Sequence, residues 1–215
     1  MATTINADTS DGLKLTADTS GEIELQSAGT TIATVNSTGL AMASGKTITG
    51  AGVGVGKILQ VVQAVKTDKF TTSSASFVDI TGLSVTITPS SSSSKILVRF
   101  FTHISNSAYL GYLNLLRGST SIIIGDAAGS RPRVTSNSAG YGDVGGAISA
   151  QYNATPASME FLDSPNTTSA TTYKLQTNSY SASYLTAINS TAIDRDATTY
   201  EPRSPSTITV MEVAG

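Results

Sequence analysis

Hydrophobic residues recur along much of this chain with the period of two that is typical of β-strands. Residues 83–87 (LSVTI) alternate apolar and polar side chains without interruption, which places successive side chains on opposite faces of a sheet. No window combines apolar residues at three- and four-residue spacing with capping residues, so the pattern predicts no helix. The sequence therefore predicts an all-β protein.

The strands predicted beyond residue 57 are short and separated by turn-forming residues. Pro89 ends one strand, and the serines at 90–94 are predicted to form a solvated turn. About ten short strands at this spacing predict an antiparallel β-sandwich head of the jelly-roll kind. The predicted strands are 58–65, 77–80, 83–87, 95–104, 109–117, 121–124, 144–152, 159–162, 171–175, 183–188 and 208–213.

The predicted strand 95–104 carries apolar residues on both of its faces. Ile96 and Phe100 share one face, whereas Leu97 and Phe101 share the other. Because strands that are covered on both sides read as nearly continuous apolar runs, we predict that this strand is buried on both faces.

The first 56 residues have a different composition. Every Phe and Tyr lies between Phe70 and Tyr200, and turns are marked by X-Gly pairs such as Ala28-Gly29. The strands between these turns carry about two apolar residues each, too few to close a core alone. We therefore predict that residues 1–56 form a homotrimeric β stalk, closed by symmetry; a partly disordered arm is the alternative. A Gly-rich linker then leads to the head at 57–215.

The composition and charge of the chain argue against several classes of function. The chain has a net charge of -2 and only 13% charged residues, with a pI near 5.3, so no basic stripe indicates nucleic-acid binding. No apolar run reaches the ~20 residues of a membrane helix, which predicts no membrane insertion. Cysteine is absent, and the N-terminus lacks the pattern of a secretory signal, so we expect synthesis in the cytoplasm.

Five segments of the predicted head resemble the C-terminal module of bacteriophage tail-fibre and related virion proteins. They are 116–120 (LRGST), 125–131 (GDAAGSR), 161–165 (FLDSP), 171–176 (TTYKLQ) and 206–212 (STITVME). The stalk segments 39–42 (GLAM) and 44–50 (SGKTITG) also resemble phage fibre sequence.

This resemblance implies a structural protein of the virion, located on the tail or the capsid surface and made in the host cytoplasm. A homotrimeric fibre that attaches to the host surface is the first hypothesis. Its partners would be copies of itself, other virion proteins at the N-terminal region, and a host glycan or protein. The second hypothesis is a capsid decoration or head-fibre protein that stabilises the shell, and the third is a polysaccharide depolymerase.

The residues that could carry chemistry give little support to an enzyme, and we expect no cofactor and no metal. His103 is the only histidine, and no Gly-x-Ser-x-Gly elbow accompanies it. Glu160 and Asp163 are predicted on opposite faces of a strand, whereas a glycosidase needs two facing carboxylates. The sequence at 194–196 (DRD) could offer oxygens to calcium, but it is more typical of a charged turn.

The longest predicted loop, 126–146, is the candidate contact surface, because loops on a rigid scaffold often carry recognition. Arg131 and Arg133 supply planar donors for carboxylates and phosphates, and Tyr141 adds an aromatic face with a hydroxyl. The alternative is structural: the two arginines flank Pro132 and could pin the loop or pair with a neighbouring subunit, and part of the segment could be strand.

Overall fold

The computed structural model describes residues 21–46, 56–107, 110–138, 154–196 and 201–215 of the 215-residue chain. Within these ranges the regular elements are all β-strands in antiparallel sheets, which confirms the predicted all-β class. The same residues include no helix that is long and apolar enough to cross a membrane.

The strands are numbered in chain order. They are β1 (Ile23–Ser27), β2 (Thr30–Asn36), β3 (Gly39–Met42), β4 (Ile58–Lys66), β5 (Phe70–Thr72), β6 (Val78–Ile87), β7 (Lys95–Asn106), β8 (Tyr112–Arg117), β9 (Thr120–Ile122), β10 (Ser136–Asn137), β11 (Thr155–Asp163), β12 (Thr171–Asn178), β13 (Thr186–Ile188) and β14 (Ser206–Val213).

Contacts divide the chain into two compact units, Met1–Val53 and Gly54–Gly215. In the first unit, β1, β2 and β3 form a three-stranded antiparallel sheet in that order. Ala28 and Gly29 join β1 to β2 with φ values of 49° and 76°. Two successive residues at positive φ are the signature of a type I′ turn, whose twist suits a hairpin. The X-Gly pair thus marks the turn as predicted.

The described residues of the second unit form two antiparallel sheets. The smaller sheet has the order β10-β8-β12-β6, and β9 pairs with β8; the larger sheet has the order β4-β14-β7-β13-β5, and β11 pairs with β7. Both sheets contribute to one hydrophobic core, formed by Ile80, Leu83, Val85, Ile87, Ile96, Val98, Phe100, Ile104, Leu113, Leu115, Ile122, Ala157, Tyr173, Leu175, Ile188, Ile208 and Val210.

Four strands of the larger sheet lie side by side in the order β4, β14, β7 and β11. Phe100 pairs with Ile208 on one side and with Met159 on the other, and Ile208 pairs with Ala64. All four residues belong to the core or pack against it. Because side chains alternate along a strand, the even-numbered residues of β4, β7 and β14 and the odd-numbered residues of β11 point inward here.

The predictions for 77–80 and 83–87 are wrong in one respect, because these residues form the single strand β6. Gly82, at a φ of 88°, lies where the two strands were predicted to separate. The register of β6 against β12 shifts between Asp79 and Ser84, which is the behaviour of a bulged strand. A bulge therefore replaces the predicted turn.

The prediction that 95–104 is buried on both faces is also wrong for this chain. Ile96 and Phe100 are fully buried, but Phe101 is 42% exposed and Arg99 is exposed as well. The core covers only the inner face of β7, and Phe101 lies on the face that points away from it. Predicted strand 144–152 lies outside the described residues.

Glu212 fastens the turn at 90–94 to the larger sheet. Its fully buried carboxylate accepts hydrogen bonds from Ser90 N and Oγ, both at 2.7 Å, and from Gln60 Nε2 at 2.7 Å. Burial raises the pKa of Glu212, but the hydrogen bonds from Ser90 and Gln60 lower it by a larger amount. The net result is a pKa of about 2. The carboxylate is therefore charged at neutral pH and fully engaged.

Candidate functional site

The structure describes the predicted contact loop from Asp126 to Ser138. Thr135 and Ser138 anchor the end of this part to β8 and to the residue before it. Thr135 N donates to Leu113 O at 3.0 Å, and Thr135 Oγ1 accepts from Leu115 N at 3.0 Å. Ser138 exchanges hydrogen bonds with Gly111 through its backbone N and its Oγ, both at 2.8 Å. These contacts leave the residues before 134 as the exposed part of the loop.

Arg131 and Arg133 are both exposed, but they differ in their contacts. Arg133 Nε donates to Gly125 O at 2.6 Å and so closes the base of the loop. Arg131 has no ion-pair partner within 4 Å among the described residues. Arg133 thus holds the loop, whereas Arg131 is left exposed on it. Tyr141 lies outside the described residues.

His103 lies on β7, as predicted. Its ring makes an edge-to-face contact with Phe101 at a centroid distance of 4.9 Å. Its Nδ1 has no hydrogen-bond partner within the described part of the chain. The side chain belongs to the outward face of the larger sheet, because its neighbours at 102 and 104 are buried.

Asp163 and Glu160 lie on opposite faces of β11, as predicted, with Glu160 exposed and Asp163 buried. The Asp163 carboxylate accepts hydrogen bonds from Arg117 Nη1 at 2.8 and 2.9 Å and from the Tyr173 hydroxyl at 2.6 Å. Burial, the hydrogen bond to Asp163 and its charge raise the pKa of Tyr173. Since β11 belongs to the larger sheet and Arg117 and Tyr173 to the smaller sheet, this cluster ties the two sheets together.

Asp194 forms the centre of a charged turn. Its carboxylate accepts hydrogen bonds from Lys69 Nζ at 2.7 Å and from Arg203 Nε and Nη2 at 2.9 Å. The hydrogen bond from Lys69, opposed by burial and aided by Arg203, lowers the pKa of Asp194. Both of its carboxylate oxygens therefore already accept hydrogen bonds from the side chains of Lys69 and Arg203. Among the described residues, no group of three or more His, Asp and Glu side chains could hold a metal ion.

A second surface was not singled out as a site by the sequence. It is the outward-pointing side of β4, β14, β7 and β11, which we call the outer face of the larger sheet. Val61 and Val65 are each 56% exposed and Leu162 is 51% exposed. The apolar residues of this face include Val61, Val65, Leu97, Phe101, Leu162 and Met211. The sequence did indicate such a face, because apolar residues occupy both odd-numbered and even-numbered positions in 58–65 and 95–101.

The described residues therefore offer two candidate surfaces, a loop that presents Arg131 and an apolar sheet face. No model of a known protein family matches this sequence, and no curated protein matches it.

Proposed function

We infer that this protein is a structural component of a bacteriophage virion. In this proposal it forms a homotrimeric fibre in which residues 1–56 are the stalk and residues 57–215 form a jelly-roll-like β-sandwich head. The loops of the head contact the host surface. The stalk joins the fibre to other virion proteins.

The observation that carries the proposal is the one-sided sheet of the first unit. Its strands pair so that apolar residues fall in two rows on one face: Ile23, Val35 and Leu40 in the first, and Leu25, Ala33 and Met42 in the second. Only Ala33 of these six is buried. A small sheet whose apolar face is open gains little stability by itself.

Copies of the same sheet are the partners that best fit this face. Three sheets arranged about one axis would bury both rows of every copy, and cyclic symmetry would close the assembly. The resemblance of 39–42 and 44–50 to phage fibre sequence supports the same arrangement.

The position of the protein on the virion can be tested by electron microscopy. Gold-labelled antibodies against a C-terminal tag are applied to virions from cells in which the tagged chain replaces the natural one. Label at the tail, on projecting fibres, is the expected result. Label distributed over the shell would favour the capsid decoration hypothesis, and particles without label would contradict a virion role.

Host contact by the head is tested separately with the variant Arg131→Ala/Arg133→Ala/Tyr141→Ala. If the loop binds the host surface, adsorption should fall by about ten-fold or more, because hot-spot Arg and Tyr side chains carry much of the binding free energy of an interface. The matched control is Lys174→Ala, a surface cation of the smaller sheet. Adsorption equal to that of the control, with an unchanged oligomer mass, would remove this loop from the binding site.

A further inference from the structure

The outer face of the larger sheet has an ordered pattern. Val61, Met211, Leu97 and Leu162 pair across the four strands and form one apolar row. Val65, Thr207, Phe101 and Ser158 form a second row, which is partly apolar.

A polar row separates these two rows. It consists of Gln63, Thr209, Arg99 and Glu160. Gln63 Nε2 donates to Thr209 Oγ1 at 2.7 Å. Arg99 and Glu160 are register partners on neighbouring strands, and both are exposed. In the described part of the chain, neither has an ion-pair partner within 4 Å.

The outward side of the smaller sheet is different. The exposed side chains of β6 and the half-buried outward side chains of β12 are polar. Their partners lie in the same chain: Lys174 Nζ is 2.8 Å from Asp79 Oδ2, and Thr86 Oγ1 is 2.8 Å from Thr172 Oγ1. An antiparallel sheet with one solvated side has this polar pattern. The larger sheet departs from it, and contiguous exposed apolar patches on a folded protein mark interaction sites.

We propose that the outer face of the larger sheet is an interface with a second copy of this chain. The charges indicate this occupant, because the face carries one cation and one carboxylate at its centre. Arg99 of one copy can pair with Glu160 of another while the flanking apolar rows pack together, so the face is complementary to itself. This interface would also explain why β7 has apolar residues on both faces: the core covers its inner face, and association covers its outer face. Self-association through this face does not depend on a virion role. A self-complementary face pairs two copies, so three-fold closure, which rests on the proposed function, is assigned to the stalk.

The first test uses cysteine cross-linking in the full-length chain, which has no cysteine of its own. Ser158→Cys places a thiol on the outer face, and Ser84→Cys places one on the outward side of the smaller sheet; both serines are exposed strand residues. With a short bis-maleimide reagent, Ser158→Cys should give covalent dimers with a yield several-fold above that of Ser84→Cys. Equal yields would overturn the proposal.

The second test uses Val61→Asp/Phe101→Asp, with Ser84→Asp as the control. Light scattering across a concentration series should show that the double variant dissociates at a protein concentration about ten-fold or more above that of the wild type, because two charges would be buried in an apolar contact. Cooperative thermal unfolding of each variant confirms that it is folded.

An unchanged oligomer mass in the double variant would overturn the interface, although a trimer held by the stalk alone would still stand. Loss of stability without a change in oligomer mass would show that a segment of the same chain covers the face, and this also contradicts the proposal. The electron microscopy test of the virion role does not depend on the outcome of either of these experiments.

Discussion

At the scale of single residues, the buried charges of this protein hold neighbouring segments together. Glu212 joins β14 to β4 through Gln60 and to the turn at 90–94 through Ser90. Asp163 joins the two sheets through Arg117 and Tyr173. Both carboxylates receive several donors, which is the condition under which a buried charge is stable.

The lowered pKa of Glu212 predicts a loss of stability in acid. The pKa is about 2 in the folded chain, against an ordinary value of 4.5, so the charged carboxylate stabilises the fold fully above pH 4.5. That contribution, on the order of 3 kcal/mol, should disappear as the pH falls from 4.5 to 2. Urea unfolding at several pH values measures it.

Glu212→Gln is the control for this prediction. It keeps the shape of the side chain but cannot titrate, so its free energy of unfolding should depend less steeply on pH between 5 and 2. Some slope should remain, because hydrogen bonds with cations also lower the pKa of Asp79 and Asp194. An identical slope in the variant and the wild type would contradict the role given to Glu212.

Removal of Arg117 should cost more stability than removal of the Tyr173 hydroxyl. In Arg117→Ala, the buried Asp163 carboxylate keeps the Tyr173 hydroxyl as a donor but loses the guanidinium. This should lower the free energy of unfolding by roughly 2 kcal/mol. Tyr173→Phe removes one hydrogen bond but keeps the ion pair, which should cost about 1 kcal/mol. Chemical denaturation of both variants decides the order, and the reverse order would show that the hydroxyl is the main partner of Asp163.

At the scale of elements, strands with clear alternation and flanking turns were predictable from sequence. The predicted strands 58–65 and 208–213 correspond to β4 and β14, and the predicted hairpin across 118–120 corresponds to β8 and β9. Their pattern is local, because apolar periodicity and turn residues lie within each segment.

Elements that depend on distant partners were not predictable. β5 and β10 have three and two residues, and they exist because β13 and β8 offer free edges to them. The anchoring of the candidate loop has the same origin, since the bond from Arg133 to Gly125 depends on the path of the backbone. Sequence could therefore nominate Arg131 and Arg133 but could not separate their roles.

The bulge in β6 predicts an effect of substitution at Gly82. Its φ of 88° is a conformation that residues with a Cβ rarely adopt. Lys66 Cδ would lie 3.7 Å from an added Cβ, so space is sufficient and strain in the backbone is the main cost. Gly82→Ala should lower the free energy of unfolding by about 1 kcal/mol or more.

Gly125→Ala is the control, because Gly125 has no positive φ and no atom within 4 Å of an added Cβ. This variant should unfold at the same denaturant concentration as the wild type. Equal effects of the two substitutions would show that strand β6 tolerates a side chain at its bulge.

At the scale of the whole molecule, the core residues that the structure describes for the second unit all come from that unit. They lie between Ile80 and Val210, and the partly buried residues packed against them begin at Val62. The ends of the unit are held together by β4 and β14, and Gly56 N donates to Ala214 O at 3.0 Å. These contacts make the unit Gly54–Gly215 a candidate for independent folding.

A truncated chain of residues 54–215 should therefore unfold in one cooperative thermal transition, with a midpoint close to that of the full chain. A shorter chain that begins at residue 67 lacks β4, which leaves an edge of β14 unpaired and uncovers core residues beside Val62 and Ala64. It should show a much lower midpoint or no transition, because a lost strand exposes apolar area and backbone hydrogen-bonding groups together. Calorimetry of the three chains makes the comparison. If the chain of residues 54–215 fails to unfold cooperatively while the full chain does so, the core needs the first unit and the predicted division into stalk and head is wrong.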